Sequence, residues 1–247
     1  MKLVALLLIT AVIAGLLILV ANAQRVVVYP TRPQPKWENP SFCPPEGKPS
    51  NRADPELNSW KNRIDRYEGE SQPVALINMQ NLYYPEGIGK RKRSEWTSEQ
   101  RIDVGRYEGI PVVIEGYLAL TSVKNESLGA QPRGGGSWNC GLTDAAHVDY
   151  ILWVTSVPEE SKANAIVAVV TPRLRANQRY WTIQNLTRIA KGRYRVRIYG
   201  WLMLDQEHPG EVGKSRATLW EIHPITQIMY EEQRRWEDLE SREPLPH

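Results

Sequence analysis

The chain has 247 residues, a net charge of +3 and two cysteines, with 9 Trp and 11 Tyr beside a single Phe. That length points to one domain with extensions rather than two full domains, and two cysteines permit at most one intramolecular disulfide. No CxxC, HxH or HExxH spacing announces a metal site, and the Trp and Tyr rings, each with a polar handle, suit half-exposed surfaces.

At the N-terminus, Lys2 precedes an uncharged apolar run from Leu3 to Ala21, which ends in "ANA" at 21–23. This order of a positive region, an apolar region and a small-x-small site reads as a signal peptide over 1–23, cut after Ala23. The expected location is secreted or periplasmic. The alternative is an uncleaved anchor, since about 18 apolar residues can just span a bilayer, and only then would the chain contact a membrane. Residues 24–60 carry eight prolines and read as an extended arm, because proline removes donors and fixes φ. Residues 61–100 are mixed and polar, with "GKRKR" at 89–93 as a solvated basic cluster. The whole of 24–100 is expected to be a partly disordered extension, and its arm could dock an envelope protein.

From 101 to 230 the pattern becomes that of a barrel domain. "IPVVIEGYLALTSV" (110–123), "HVDYILWVTSV" (147–157) and "NAIVAVVTPRL" (164–174) are strand-like. "RANQRYWTIQNLTRIAKG" (175–192) reads as a helix stopped by Gly192. Residues 193–205 and 216–230 supply two further strands, and the charged tail 231–247 reads as a short exposed helix. The order β-β-β-α-β-β is that of a small five-stranded OB-fold-like barrel, a mainly β class. Gly116 in the first strand and Gly200 in the fourth fit the sharp bending such a barrel needs.

The motifs "EGYLA" (115–119), "NCG" (139–141), "HVD" (147–149), "VTPR" (170–173), "VRIYGWLMLDQEH" (196–208) and "RATLWEIHP" (216–224) resemble an uncharacterised family of secreted bacterial proteins with an OB-like barrel. The resemblance covers about half the chain, from Tyr107 to Met229. It implies the fold and no established activity. Family members often carry an acidic residue two positions before the histidine that matches His147; here Ala145 stands there, which weakens a metal reading built on that pair.

In such a barrel the loops joining strands one and two, and four and five, flank the binding face. Cys140 lies in the first loop, with His147 and Asp149 at its end, and Asp205, Glu207 and His208 lie in the second. Four readings compete for these residues. A metal site would draw on His147, Asp149, His208 and His223. A Cys140 nucleophile would use His147 as base. A metal-assisted or general-base phosphodiesterase would use Glu221 and His223, with Arg197 and Arg216 as phosphate clamps. The plainest reading has the same residues serving turns and strand ends. In an oxidising compartment Cys43 and Cys140 are expected to pair and tie the arm to the first loop; free thiols are the alternative.

Between 173 and 197 stand eight basic residues and no Asp or Glu. On strand four, Arg193, Arg195, Arg197, Tyr199 and Trp201 share one face, opposite Val196 and Ile198. That stripe, with His147, Asp149 and His208 at the rim, makes the expected function an exported, non-catalytic module binding a polyanion such as nucleic acid or acidic polysaccharide. The alternatives are the phosphodiester hydrolase and an envelope protein–protein module. A rival account of the stripe is pairing with the acidic tail. The sequence identifies no cofactor.

Overall fold

The computed structural model describes residues 35–37, 43–48, 53–123 and 126–244; the expected signal peptide at 1–23 and most of the proline-rich arm lie outside them. In chain order the elements are α1 (Pro55–Lys61), β1 (Gln72–Pro73), α2 (Leu76–Gln80), α3 (Ser98–Gly105), β2 (Pro111–Leu118), β3 (Thr121–Val123), β4 (Glu126–Leu128) and β5 (Gln131–Arg133). There follow β6 (Asp149–Thr155), β7 (Ile166–Val170), α4 (Pro172–Arg175), α5 (Ile183–Lys191), β8 (Arg195–Leu204), β9 (Trp220–Glu232) and β10 (Arg235–Asp238).

Five of these strands close a barrel in a mainly β structure. β2 runs antiparallel to β8, from Pro111 opposite Trp201 to Tyr117 opposite Arg195. β8 pairs antiparallel with β9, β9 parallel with β7, and β7 antiparallel with β6. β6 returns to β2 through Tyr117–Thr155 and Leu118–Val154. Alternation sends Ile114, Leu152, Ala168, Ile198 and Ile222 into the interior, where all are fully buried. Gly200 sits where the β8–β9 register shifts, and a side chain there would collide with Ile222 and the Pro224 carbonyl. At Gly116 it would meet the Thr155 carbonyl and Val154. Both glycines allow the close backbone approach that a narrow barrel requires.

The helical region between β7 and β8 differs from the single helix expected over 175–192. Pro172 opens α4 at its first turn, where a missing N–H costs nothing. A second helix then starts at Thr182, whose hydroxyl accepts from Asn185 N at 3.1 Å. α5 buries Leu186 and Ile189 against the barrel.

Residues 53–110 are folded onto the barrel. At 53–60 the structure corrects the extended arm to a helix: Asp54 caps α1, accepting from Glu56 N (3.1 Å) and Leu57 N (3.2 Å), and Pro55 fits its first turn. Much of the contact is polar and buried. The Arg93 guanidinium grips both Glu108 oxygens and donates to Leu204 O at 2.9 Å, while Glu108 accepts from Leu204 N at 3.0 Å. The tail is also corrected. Gln233 and Arg234 both adopt left-handed φ values of 52° and 63°, forming a tight hairpin turn, and 235–238 pairs with β9 as a strand rather than forming a helix. No helix among the described residues is long and apolar enough to cross a membrane.

Candidate functional site

With Leu152, Ala168 and Ile222 inside, strand alternation turns Trp153, Val167, Val169, Glu221 and His223 onto the outer face of β6, β7 and β9. That face is covered. The loop after β5 brings Trp138 over it, the β8–β9 loop brings Asp205, His208 and Arg216, and the end of α1 brings Lys61. Between them lies a narrow pocket with about 50 Å³ of interior room, enough for a few water-sized groups or one small functional group.

The walls are a buried ionic network. Lys61 Nζ lies 2.9 Å from Glu207 Oε2 and 3.7 Å from Asp205 Oδ2. Arg216 stands 3.6 Å from the same Asp205 oxygen and also grips Glu221. Each of two histidines is tied by Nδ1 to a carboxylate: His208 to Asp205 Oδ2 at 2.8 Å, and His223 to Glu221 Oε1 at 2.9 Å. A carboxylate only accepts, so Nδ1 carries the proton in each pair and the Nε2 lone pair of a neutral ring is left over. His223 is 3% exposed, and its Nε2 has no partner among the described residues; nor has Arg216 Nε.

The network shifts its own titrations. Burial opposes the charge on Asp205, but Lys61, His208 and Arg216 outweigh it and hold the carboxyl well below the usual carboxylate range. Burial and Asp205 push Glu221 up, and Arg216 and His223 more than compensate, so it too is lowered. Burial pulls His208 down, yet its bond and charge contact with Asp205 leave it above the ordinary imidazole value. Asp149 goes the other way: burial dominates, and its carboxyl is raised.

Asp149 is held at the pocket edge by the indole N–H of Trp138 and by Asn139 Nδ2 at 3.2 Å. The next residue, Cys140, is left-handed (φ 54°) and bonded to Cys43, with Cα atoms 5.7 Å apart. The bridge docks 43–48 beside the pocket wall: Lys48 N donates to Ser137 O (2.8 Å), and Asn62 Nδ2 donates to both Pro45 O and Trp138 O (2.8 Å each). The Lys61 ammonium then sits 4.6 Å from the Trp138 ring centre. With its sulfur in the bridge, Cys140 has no thiol to serve as a nucleophile.

Of the residues singled out in the sequence, Asp149, Asp205, His208, Arg216, Glu221 and His223 come together here. His147 does not; its Nδ1 pairs with both oxygens of Asp144, each at 2.8 Å, outside the pocket. Among the described residues, no three His, Cys, Asp or Glu side chains are arranged to hold a metal ion, and the carboxylates beside His208 and His223 are engaged by Lys61 and Arg216. Lys61 and Trp138 were missed. Nothing in the polar run around Lys61 marks it, whereas Trp138 had a signal in its place beside Cys140.

The arginine stripe lies elsewhere, along the outer wall of β8, and Arg193 is corrected off that strand: it precedes β8, with a left-handed φ of 52°. Arg193 pairs with Glu159, Arg195 with Glu115 and Glu231, and Arg197 with Glu115 at 2.6 Å. Trp201 faces outward as alternation requires, but it is 1% exposed, correcting the expectation that it is presented with the arginines. The Arg63 guanidinium lies 3.7 Å over the Trp201 ring, and the Trp201 indole N–H donates to Asp65 O at 2.9 Å. The half-buried Trp236 of β10 takes the aromatic place instead, 4.0 Å from Arg197. No family model, no curated protein and no solved structure matches this chain.

Proposed function

We propose that this is an exported OB-type barrel carrying an acid–base site for phosphodiester hydrolysis in the pocket over β6 and β7. The OB reading is supported by the barrel order β2-β6-β7-β9-β8 with helix between its third and fourth strands, and by a pocket lying on the second and third strands beneath the two flanking loops. Export is supported by Lys2, the apolar run and "ANA", and a disulfide is compatible with it.

The hydrolytic reading is carried by one observation: two imidazoles line a single pocket, each with Nδ1 fixed on a buried carboxylate. In this scheme His223 takes a proton from water through Nε2, with Glu221 stabilising the imidazolium that forms. His208, whose proton affinity Asp205 raises, returns a proton to the leaving oxygen. Arg216 has an uncommitted Nε and can bond a phosphoryl oxygen without releasing Glu221. The stripe supports the polyanion-module reading less well, because Glu115, Glu159 and Glu231 already match its three arginines.

The test is hydrolysis of bis(p-nitrophenyl) phosphate and of short DNA and RNA oligonucleotides by the mature chain. His223→Gln and His208→Gln should each reduce turnover by about a hundredfold or more, with the fold unchanged by circular dichroism. Absence of turnover by the intact protein, or wild-type rates in both variants, overturns the proposal.

A further inference from the structure

A second cleft lies on the other side of the barrel, over the outer faces of β2, β8 and β9. It encloses about 500 Å³, within the range of small-molecule sites. Tyr199 of β8 and Tyr67 of the segment before β1 bring half-buried rings to it, and Gln227 of β9 and Asp238 of β10 bring polar groups. These polar groups are already aimed by one another. Gln227 Nε2 donates to Asp238 Oδ2 at 2.6 Å, and Asp238 Oδ1 accepts from Glu240 N at 2.8 Å. Glu240 accepts in turn from Arg179 N at 2.9 Å.

Three features narrow the ligand chemistry. Three carboxylates line the cleft, Glu70, Asp238 and Glu240, against one guanidinium, Arg66, and no salt bridge joins them among the described residues, so an anionic ligand would meet an excess of negative charge. Each carboxylate and amide can still bond hydroxyl groups. Trp181 also lines the cleft; it is 2% exposed, and its indole N–H has no acceptor among the described residues, although buried donors are almost always satisfied. Aromatic faces with carboxylate and amide groups around a cavity of this size match a compact, uncharged, polyhydroxylated molecule, whose C–H faces pack on rings while its hydroxyls both give and accept.

We propose that this cleft binds a neutral saccharide of one or two rings. The inference stands apart from the acid–base pocket, and shares no lining residue with it.

The experiment is an NMR titration of the mature protein with cellobiose, maltose and N,N′-diacetylchitobiose, with sodium phosphate as the anionic comparison. At least one sugar should saturate in the millimolar range, with shifts centred on Tyr199 and Gln227. Tyr199→Ala and Gln227→Ala should each weaken binding about tenfold, and His223→Gln should leave it unchanged. The proposal fails if no sugar saturates, if phosphate shifts the same amides more strongly, or if both cleft variants bind as wild type does. Tyr199 and Gln227 are only half-buried, so the variants should fold, which circular dichroism checks.

Discussion

The pocket and the arginine stripe are built from the same chemistry, arginines facing carboxylates on the outer wall of one barrel, and differ chiefly in burial. In the pocket, Arg216 is 2% exposed and Asp205 3%. In the stripe, the Arg193 and Arg195 side chains are 61% and 44% exposed. Water solvates a stripe arginine whether or not its partner is present, so each pair there is worth little. A pocket arginine has no such fallback, and the charges around it must be matched within the protein. Desolvation, rather than the number of charges, decides which cluster is organised, and in the buried one the titrations of Asp205, His208 and Glu221 are shifted in a way that chemistry could use.

The largest expected effect follows from removing the carboxylate shared by Lys61, Arg216 and His208. Asp205→Ala should cost about 3–5 kcal/mol, because two buried cations lose a counter-charge. Urea denaturation measures it. A loss below about 1 kcal/mol would mean that the pocket behaves like a surface network after all.

The barrel was legible in the sequence because it rests on alternation and on two bend-forming glycines, both local signals. All five strands lie within the stretches assigned to them except the last, which runs on to Glu232. The pocket was half legible. Asp205, His208, Glu221 and His223 sit on or beside strands whose parity can be counted, but Lys61 arrives from an extension held on by buried polar pairs such as Arg93–Glu108, and a buried pair looks like a surface pair when only residue types are known. Trp201 shows the same limit. Parity gave its direction correctly, but what covers it, Arg63 and Asp65, lies more than a hundred residues away. The tail hairpin was hidden because two non-glycine residues make its turn.

Removing the Cys43–Cys140 bridge tests how far the pocket wall depends on a distant tie. The cross-link spans 97 residues, and the Cys43→Ser/Cys140→Ser protein should lose about 2–4 kcal/mol, read from its denaturation midpoint. Beyond that global loss, Trp138 and Lys61 should loosen, so hydrogen exchange should rise at 136–141 more than at the stripe. Uniform acceleration across both regions would show that the bridge acts only on the unfolded chain.

pH should separate the regions more gently. Asp205 and Glu221 are depressed in the folded protein, so their contribution is present above the ordinary carboxylate range of about pH 4 and is lost as pH falls through the lowered values. His208 is raised, so its contribution is complete below about pH 6.5 and is lost as pH rises through the elevated value. Stability measured against pH should therefore fall on both sides, and His208→Gln should remove the alkaline fall while leaving the acid one. An unchanged alkaline limb in that variant would assign the loss to another group.

The smallest expected change in stability is also the sharpest test of the stripe. Glu115 is shared by Arg195 and Arg197, and all three side chains are at least a third exposed, so Glu115→Ala should alter stability by less than about 1 kcal/mol. Its effect on binding should be larger. In the intact protein the stripe's arginines are matched by glutamates, and single-stranded DNA or heparin should bind weakly. Without Glu115, Arg197 loses its only carboxylate partner among the described residues and Arg195 keeps Glu231 alone. Polyanion affinity should then rise, and the dependence on salt should steepen by about one unit of slope for each phosphate newly neutralised. Deleting 231–247 is a poorer test, because it also removes β10, which is paired with β9, and Trp236 with it. If the intact protein already binds single-stranded DNA tightly with a steep salt dependence, and Glu115→Ala adds nothing, then exposed pairing does not neutralise the stripe. The contrast between matched surface charges and a matched buried network would then fail, and the outer wall of β8 would stand as a ligand face of its own.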